Sequence, residues 1–581
     1  MSWYKLHNEY LLPYKAAIEA GAYTTMSSFN LLNGVPMHAY REVHEDIIRG
    51  MFGFRGFTVS DYGAIMELSH HNVSDADHPE NAAMQGLYAG VDMDMADGYY
   101  DKLRKYKDVV LPNGRTVEDV VNLSCKRVLK VKQDIGLFEH GGLALTEDRD
   151  KLWSTVWFTD EHLEVSRQAA IKSSVLLVNK DNTLPLTAPA DGDDREFLLI
   201  GRMADFPDDL MGSWAGLYLD PEMTPRQHTI TREIDLRFGC KLADSDDTIT
   251  DTGCNWQYRK GWNQIYDSTP NDGELDDTDI AANKEVLDLI KADPKRFNTI
   301  FMVVGESFVQ NGESTARAHL ELPLTQAQLV KDVRTAADPA TKLVLILNIG
   351  RPNIITWEAA NVDAILLTWA PGSMAGPAIF DMVFGAAVPS GRLPVSFPRS
   401  EGQIPVYHSK RPSGRMMPTG MEDGIYNPLT DKFFSRYLDE KVVPLFPFGF
   451  GLSYNQFEIS DVSIDKETVT GDGTFTISAT VKRSGDHLDL AEGEVVQVYI
   501  HQATSTMSPP VKKLKEFQRV EFASKDTSKS IKITMNAADA FGYYNGQLNY
   551  TVEEGTYYIY VVHDSSEAGD IKNGIVVKVK N

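Results

Sequence analysis

Gly56-Phe57-Thr58-Val59-Ser60-Asp61-Tyr62-Gly63-Ala64-Ile65 is the stretch on which the fold of this chain turns. A short β-branched and aromatic run ends in a carboxylate and then a glycine, the pattern of a buried strand that delivers one acidic side chain to the end of a sheet. In a (β/α) barrel the C-terminal strand ends carry the chemistry. An Asp before a polar-apolar stretch is also a common helix N-cap, so strand-end acid and cap stand open as alternatives for Asp61 on this segment alone.

Outward from that stretch, residues 1–140 alternate between the two periods. Helices are expected at 6–20, 41–52, 79–89 and 117–135, and strands at 23–29, 57–60 and 91–95. Such alternation implies parallel strands. Residues 141–160 read as a linker. From 161 to 400 the alternation resumes, with continuous apolar runs at 197–201, 299–305, 343–348 and 364–368 that suit strands covered on both faces. The stretch 401–455, rich in Pro, Gly and aromatic residues, reads as a wrap between domains. From 456 to 581 short alternating strands without helices, such as 474–481 and 555–561, predict an antiparallel β-sandwich. A chain of 581 residues is too long for one core.

Composition narrows the function. The net charge is −25, from 82 acidic and 57 basic residues. That surface repels nucleic acid and anionic membranes and suits a neutral substrate. No run is long and apolar enough to span a bilayer, and the Ser2-Trp3-Tyr4-Lys5 start lacks the basic and apolar regions of a signal peptide. Localisation stays open between the periplasm or exterior and the cytoplasm. Of the three cysteines, Cys240 and Cys254 form one disulfide or remain free, and none has metal spacing. His70 and His71 lack a third ligand in register, so no metal and no cofactor are expected.

Further segments stand around the first. Tyr23-Thr24-Thr25-Met26-Ser27-Ser28-Phe29-Asn30 and Asn33-Gly34-Val35-Pro36 precede it, and Ala89-Gly90-Val91-Asp92-Met93-Asp94-Met95 follows. Then come Ser174-Val175-Leu176-Leu177-Val178-Asn179, Leu184-Pro185-Leu186, Gly350-Arg351-Pro352, Trp369-Ala370-Pro371-Gly372 and Pro389-Ser390-Gly391-Arg392-Leu393-Pro394. Phe446-Pro447-Phe448-Gly449-Phe450-Gly451-Leu452-Ser453-Tyr454 closes the series. In this order the segments resemble glycoside hydrolase family 3, the β-glucosidases and β-xylosidases, over nearly the whole chain. Gly63-Ala64-Ile65, Glu67-Leu68 and Tyr99-Tyr100 are most similar to the periplasmic β-glucosidases of Gram-negative bacteria. The resemblance implies a C-terminal portion of a (β/α)₈ barrel at 1–140, an α/β sandwich domain at 161–400 and a fibronectin type III-like domain at 456–581.

It also implies a mechanism. A retaining glycosidase uses two carboxyl groups about 5–5.5 Å apart, one as nucleophile and one as acid/base. By resemblance Asp61 is the nucleophile and Glu313, in Gly305-Glu306-Ser307-Phe308-Val309-Gln310-Asn311-Gly312-Glu313-Ser314-Thr315-Ala316-Arg317, is the acid/base. Glu306 is the competing carboxylate, a structural acid or sugar ligand, and Arg317 is placed to orient a carboxylate. Tyr62, Met26 and Phe29 are the expected substrate-binding residues. Tyr62 offers a face for a sugar; Met26 is an apolar wall or plain core; Phe29 stands where many members carry a Tyr. Trp214 is expected to pack in a core rather than to reach a sugar.

About three barrel strands precede the α/β sandwich, whereas the family grips sugar hydroxyls from earlier strands. The expectation is that a separate N-terminal barrel polypeptide, or a homo-oligomer, covers the open strand edges. The function expected is a retaining exo-β-glycosidase, a β-glucosidase acting on β-linked glucosides or oligosaccharides. The alternatives are a β-xylosidase or α-arabinofuranosidase, and an inactive carbohydrate-binding or interaction remnant.

Overall fold

A computed structural model describes residues 1–140, 158–189, 194–215, 227–240, 254–262, 277–417, 427–569 and 573–580. Most of the expected linker at 141–160 lies outside the described residues; the helix Asp160–Ser173 begins at its end. The chain divides into two compact units, Met1–Lys151 with Tyr543–Thr551, and Leu152–Gly542 with Val552–Asn581.

The first unit is built on three parallel strands, β1 (Thr24–Met26), β2 (Phe57–Tyr62) and β3 (Met93–Met95), in the order β1-β2-β3. Helices Glu42–Met51 and Pro79–Ala89 connect them, and Val117–Asp134 follows. The sheet brings its strands close enough that Gly56 is obligatory: a Cβ there would lie 1.9 Å from the Tyr23 carbonyl oxygen. β1 is shorter than the expected 23–29. Its last ladder bond runs from Ser27 N–H to the Val59 carbonyl, and the chain then leaves for a hairpin. There Leu31–Leu32 pairs with Val35–Pro36 across Asn33 and Gly34, both at positive φ, as a two-residue Asn-Gly turn requires. Ile65, Leu68, Ala82 and Val91 bury one apolar cluster of the unit. Asn8, buried, exchanges two amide hydrogen bonds with the backbone of Tyr544, at 2.9 and 2.8 Å. That pins the small Tyr543–Tyr544 and Tyr550–Thr551 strand pair, which nothing in the sequence reading assigned to this unit.

The second unit holds a six-stranded sheet: β4 (Val175–Asn179), β5 (Glu196–Ile200), β6 (Trp256–Arg259), β7 (Phe297–Gly305), β8 (Lys342–Asn348) and β9 (Ala364–Leu367). The order is β4-β9-β8-β7-β5-β6, parallel except for β4 against β9. The central strands are buried along their length because both faces are covered. Val286 and Ile290 of Asp277–Ala292 and Val330 and Val333 of Leu324–Ala336 close one face. Ile171, Ile234 and Ile379, from three other helices, close the second.

A β-sandwich follows. Its three-stranded sheet holds Gln456–Ile464, Thr474–Ser484 and Ser528–Asn536; its five-stranded sheet holds Thr468–Val469, Glu492–Gln502, Lys513–Phe522, Gly555–Val562 and Ile575–Val579. Phe475, Val481, Val498 and Tyr557 lie in the core between them. The expectation of no helix in this part is corrected by Ala537–Phe541, one turn started by the Asn536 side chain accepting from Ala538 N–H. The sandwich is tied to the α/β layer by Arg392 on buried Glu494 and by Arg519 Nη2 donating to Ser390 Oγ at 2.9 Å. Cys240 and Cys254 are joined in a disulfide, and Cys125 is free and exposed. Among the described residues no helix is long and apolar enough to cross a membrane.

Candidate active site

Asp61 stands at the C-terminal end of β2, where backbone bonds fix the turn that follows. Met95 N–H donates to Ser60 Oγ at 2.8 Å, and Gly63 N–H to the Met95 carbonyl at 2.9 Å. One carboxylate oxygen of Asp61 accepts from Tyr62 N–H at 2.7 Å. The other makes no hydrogen bond among the described residues. The short helix Met66–Leu68 that follows is capped by a different acid: Asp97 Oδ2 accepts Met66 N–H at 2.8 Å. Helix capping, the alternative open at the sequence level, falls to Asp97, and the Asp61 carboxylate is left partly exposed at the strand end.

Beneath Asp61 lies His38, buried, whose Nε2 accepts the Asp61 backbone N–H at 3.1 Å. Burial, aided by His44, lowers its pKa to about 4, against the opposing pull of Asp61 and Asp97. A neutral imidazole is what an acceptor Nε2 requires. Asp92 is engaged on all sides: by Arg49 at 2.5 Å, Arg127 and Ser124 at 2.8 Å, and Thr58 N–H at 2.9 Å. It is a structural acid. Burial and the hydrogen-bonded Asp97 carboxyl beside it push Asp94 up to about 7. Asp94 also accepts Tyr100 N–H at 3.2 Å and keeps its other oxygen buried, whereas Asp61 is the partly exposed strand-end acid with one oxygen unengaged among the described residues.

Of the expected substrate-binding residues, Tyr62 is 72% exposed beside Asp61, and Met26, 50% exposed on β1, is not core. Phe29 packs on the His38 ring with centroids 6.4 Å apart.

In the second unit Glu313 sits on a loop between β7 and the helix Leu324–Ala336. Glu313 is exposed and has no hydrogen-bond or ion-pair partner among the described residues. The loop needs its glycine: Gly312 has φ +99°, and a Cβ there would meet Ser213 Oγ at 2.6 Å. Glu306, in contrast, is 1% exposed. Its carboxylate accepts from Arg317 Nη1 at 2.7 Å, Arg351 Nε at 2.8 Å and Asn353 Nδ2 at 3.3 Å. Its carboxylate is taken up by these structural bonds. Behind the loop, Asp209 accepts from Arg202 Nη1 at 2.8 Å and Phe308 N–H at 2.9 Å, and burial raises it to about 6. Trp214 corrects the expectation of core packing. It is 78% exposed, its turn lying against the Glu313 loop at Gly312.

Among the described residues one group has cation-ligand spacing: His319, Glu321 and Glu401, with ligand atoms within 4.8 Å of one another. It lies at the surface, and Glu401 Oε1 already accepts Leu320 N–H at 2.8 Å. His38, Asp97 and Arg351 are site residues that the sequence reading did not single out. Only Arg351 carried a signal, inside Gly350-Arg351-Pro352.

Comparison with known proteins agrees with the fold. Residues 1–131 match the Glycosyl hydrolase family 3 N terminal domain, residues 174–454 its C-terminal domain, and residues 494–565 the Fibronectin type III-like domain. A periplasmic beta-glucosidase of Salmonella typhimurium is 34% identical over 573 residues, covering 97% of this chain and 69% of that one. A beta-xylosidase of Formosa agariphila is 30% identical over 578 residues, 98% of this chain and 72% of that one. The crystal structure of a β-glucosidase from Listeria innocua in complex with gluconolactone superposes with a TM-score of 0.81 at 29% identity, covering 100% of this chain and 71% of that one. The fold and these similarities define a multidomain glycoside hydrolase. The chain belongs to glycosyl hydrolase family 3.

Proposed function

We propose that this protein is a retaining exo-acting β-glycosidase, a β-glucosidase that releases terminal glucose from β-glucosides. Asp61 attacks the anomeric carbon as the glycosidic C–O bond breaks, and Glu313 gives its proton to the leaving oxygen. The ionised Glu313 then takes a proton from water, whose oxygen displaces Asp61 from the anomeric carbon. Tyr62 and Met26 line the sugar, and Phe29 backs the wall through His38. The observation that carries the reading is the Asp61 carboxylate: it stands partly exposed at a strand end with one oxygen unengaged, while Asp92 and Asp97 are taken up by structural bonds and Asp94 accepts Tyr100 N–H and keeps its other oxygen buried.

β1 and β3 are the outer strands of their sheet. Open parallel edges are templates for pairing. This supports completion of the barrel by strands outside these residues. Those strands would supply the remaining contacts to the sugar, which a second copy of residues 1–581, bearing the same three strands, would not.

The test is a 2-deoxy-2-fluoro-β-glucoside with a good leaving group, which arrests the reaction after the first step. The peptide containing Asp61 should gain the mass of one fluoroglucosyl group, and Asp61→Asn should gain none. Labelling elsewhere, or undiminished turnover in Asp61→Asn, would remove Asp61 from the role. A β-xylosidase is the second reading, favoured by the Formosa agariphila relative. It predicts a higher kcat/KM on aryl β-xylosides than on aryl β-glucosides.

A further inference from the structure

We infer that Arg351 is the positioning residue for Glu313, a single guanidinium that holds both limbs of the loop on which Glu313 stands. The inference rests on Glu313 being the acid/base. Arg351 Nη2 donates to the Gln310 carbonyl at 2.6 Å and to the Thr315 carbonyl at 2.9 Å. One bond lies before Glu313 in the chain and the other after it, and the guanidinium closes the loop between them. The same side chain donates through Nε to buried Glu306 at 2.8 Å. Its position is therefore set from the interior, not by the loop it holds.

The supporting contacts point the same way. Glu306 is also the partner of Arg317, which anchors the loop where it ends, at 2.7 Å. Asn311 Nδ2 donates to the Glu306 carbonyl at 3.1 Å, and Asn311 Oδ1 accepts Gly350 N–H at 3.1 Å. The chain from 306 to 319 has neither helix nor strand to fix it. Besides the bonds to Glu306, its internal bonds are Ser307 N–H to Gln310 Oε1 at 3.0 Å, Gln310 N–H to the Ser307 carbonyl at 2.9 Å, Asn311 Nδ2 to the Ser307 carbonyl at 3.3 Å and Thr315 Oγ1 to the Gly312 carbonyl at 2.6 Å, and none of them joins the chain before Glu313 to the chain after it except across Gly312. Among the described residues Arg351 is the contact from outside the loop that reaches both sides of Glu313.

Planarity explains why arginine is needed. A guanidinium presents five N–H donors in a fixed fork, so one group serves a carboxylate and two carbonyls at once. A lysine keeps the charge but concentrates it at one atom. Geometry and charge can therefore be separated by substitution. General-acid catalysis contributes about 10²–10⁴-fold and demands heavy-atom placement within hydrogen-bond reach of the leaving oxygen. A misplaced Glu313 costs most where the leaving group needs its proton.

The experiment compares wild type, Arg351→Lys and Arg351→Met on a series of aryl β-glucosides of graded leaving-group pKa. Both variants should lose about 10- to 100-fold in kcat/KM on phenyl β-glucoside and under about 3-fold on 2,4-dinitrophenyl β-glucoside. The slope of log kcat/KM against leaving-group pKa steepens, as it does in Glu313→Ala. An equal loss on every substrate would mean a general structural role and would overturn the inference. So would wild-type behaviour in Arg351→Lys. A second measurement needs no substrate: hydrogen exchange in the full chain. Peptides spanning 309–316 should lose protection in both variants while those spanning 342–348 keep theirs; unchanged protection at 309–316 would overturn the inference. If wild type hydrolyses no β-glycoside, the proposed function fails by itself, and the exchange result alone decides whether Arg351 holds this loop.

Discussion

Glu306 and Glu313 are neighbours on one loop, and what surrounds each decides what it can do. Glu313 is exposed and unpartnered; Glu306 is buried between two guanidiniums. Glu313→Ala should leave stability near wild type and make hydrolysis of poor leaving groups dependent on added azide, which replaces the missing base in the second step. Glu306→Gln leaves Arg317 and Arg351 facing an uncharged partner. It should cost about 3 kcal/mol, the lower end of the range for a broken buried ion pair because both arginines are partly exposed. Azide rescue in Glu306→Ala and none in Glu313→Ala would reverse the two roles. His38 gives a second residue-scale outcome. Its folded pKa, about 4, lies below the 6.5 of the free side chain. The unfolded chain therefore binds the extra proton first as pH falls. The stability His38 contributes is complete above about pH 6.5 and is lost progressively between there and pH 4. Thermal melts should show the gap between wild type and His38→Gln narrowing from pH 7 to pH 5; a constant or widening gap would contradict the neutral acceptor assigned to Nε2.

At the scale of elements, the Glu313 loop depends on one backbone conformation. Gly312→Ala forces a side chain to φ +99° and drives its Cβ to 2.6 Å from Ser213 Oγ. The strain alone is about 1–3 kcal/mol. The loop should move before the sheet melts, so phenyl β-glucoside hydrolysis should fall more than the melting temperature; full activity would show that the loop tolerates the shift. The same elements show what sequence can and cannot disclose. Fully buried strands announce themselves as apolar runs, and β7, β8 and β9 lie where those runs were read. β6 escaped notice because Trp256-Gln257-Tyr258-Arg259 alternates at a sheet edge instead of forming a run. β1 was read too long because Ser27, Ser28 and Phe29 do not break the run in sequence, whereas pairing with β2 ends at Met26. Asp61 was legible as a strand-end acid. His38 and Asp97 were not, since they act through hydrogen bonds to backbone N–H groups, and such bonds leave no mark in side-chain pattern.

For the whole molecule, the proposed completion of the three-stranded sheet sets the next outcome. Residues 1–581 purified alone should hydrolyse aryl β-glucosides weakly, and adding a polypeptide that bears further parallel barrel strands should raise that activity with formation of a complex. Native mass and activity measured on one sample check this. A monomer of 64.8 kDa with full activity would overturn it. The net charge of −25 should keep this surface clear of polyanions throughout.

The bond between Cys240 and Cys254 carries a further consequence, one of redox environment. Cys254 stands two residues before β6, the outermost strand of the six-stranded sheet, and Cys240 just beyond the helix Ile230–Phe238 on its flank. The crosslink closes a sequence separation of 14 residues. A closure of that length is worth about 3 kcal/mol in the chain-entropy account. Oxidised, the outer strand is tethered covalently to the helix beside it. Reduced, among the described residues it is held by its ladder to β5, by Tyr258 Oη on the Gly201 carbonyl, by the Arg259–Glu285 pair and by side-chain packing. The redox poise of the surroundings thereby sets how firmly that edge of the sheet is closed.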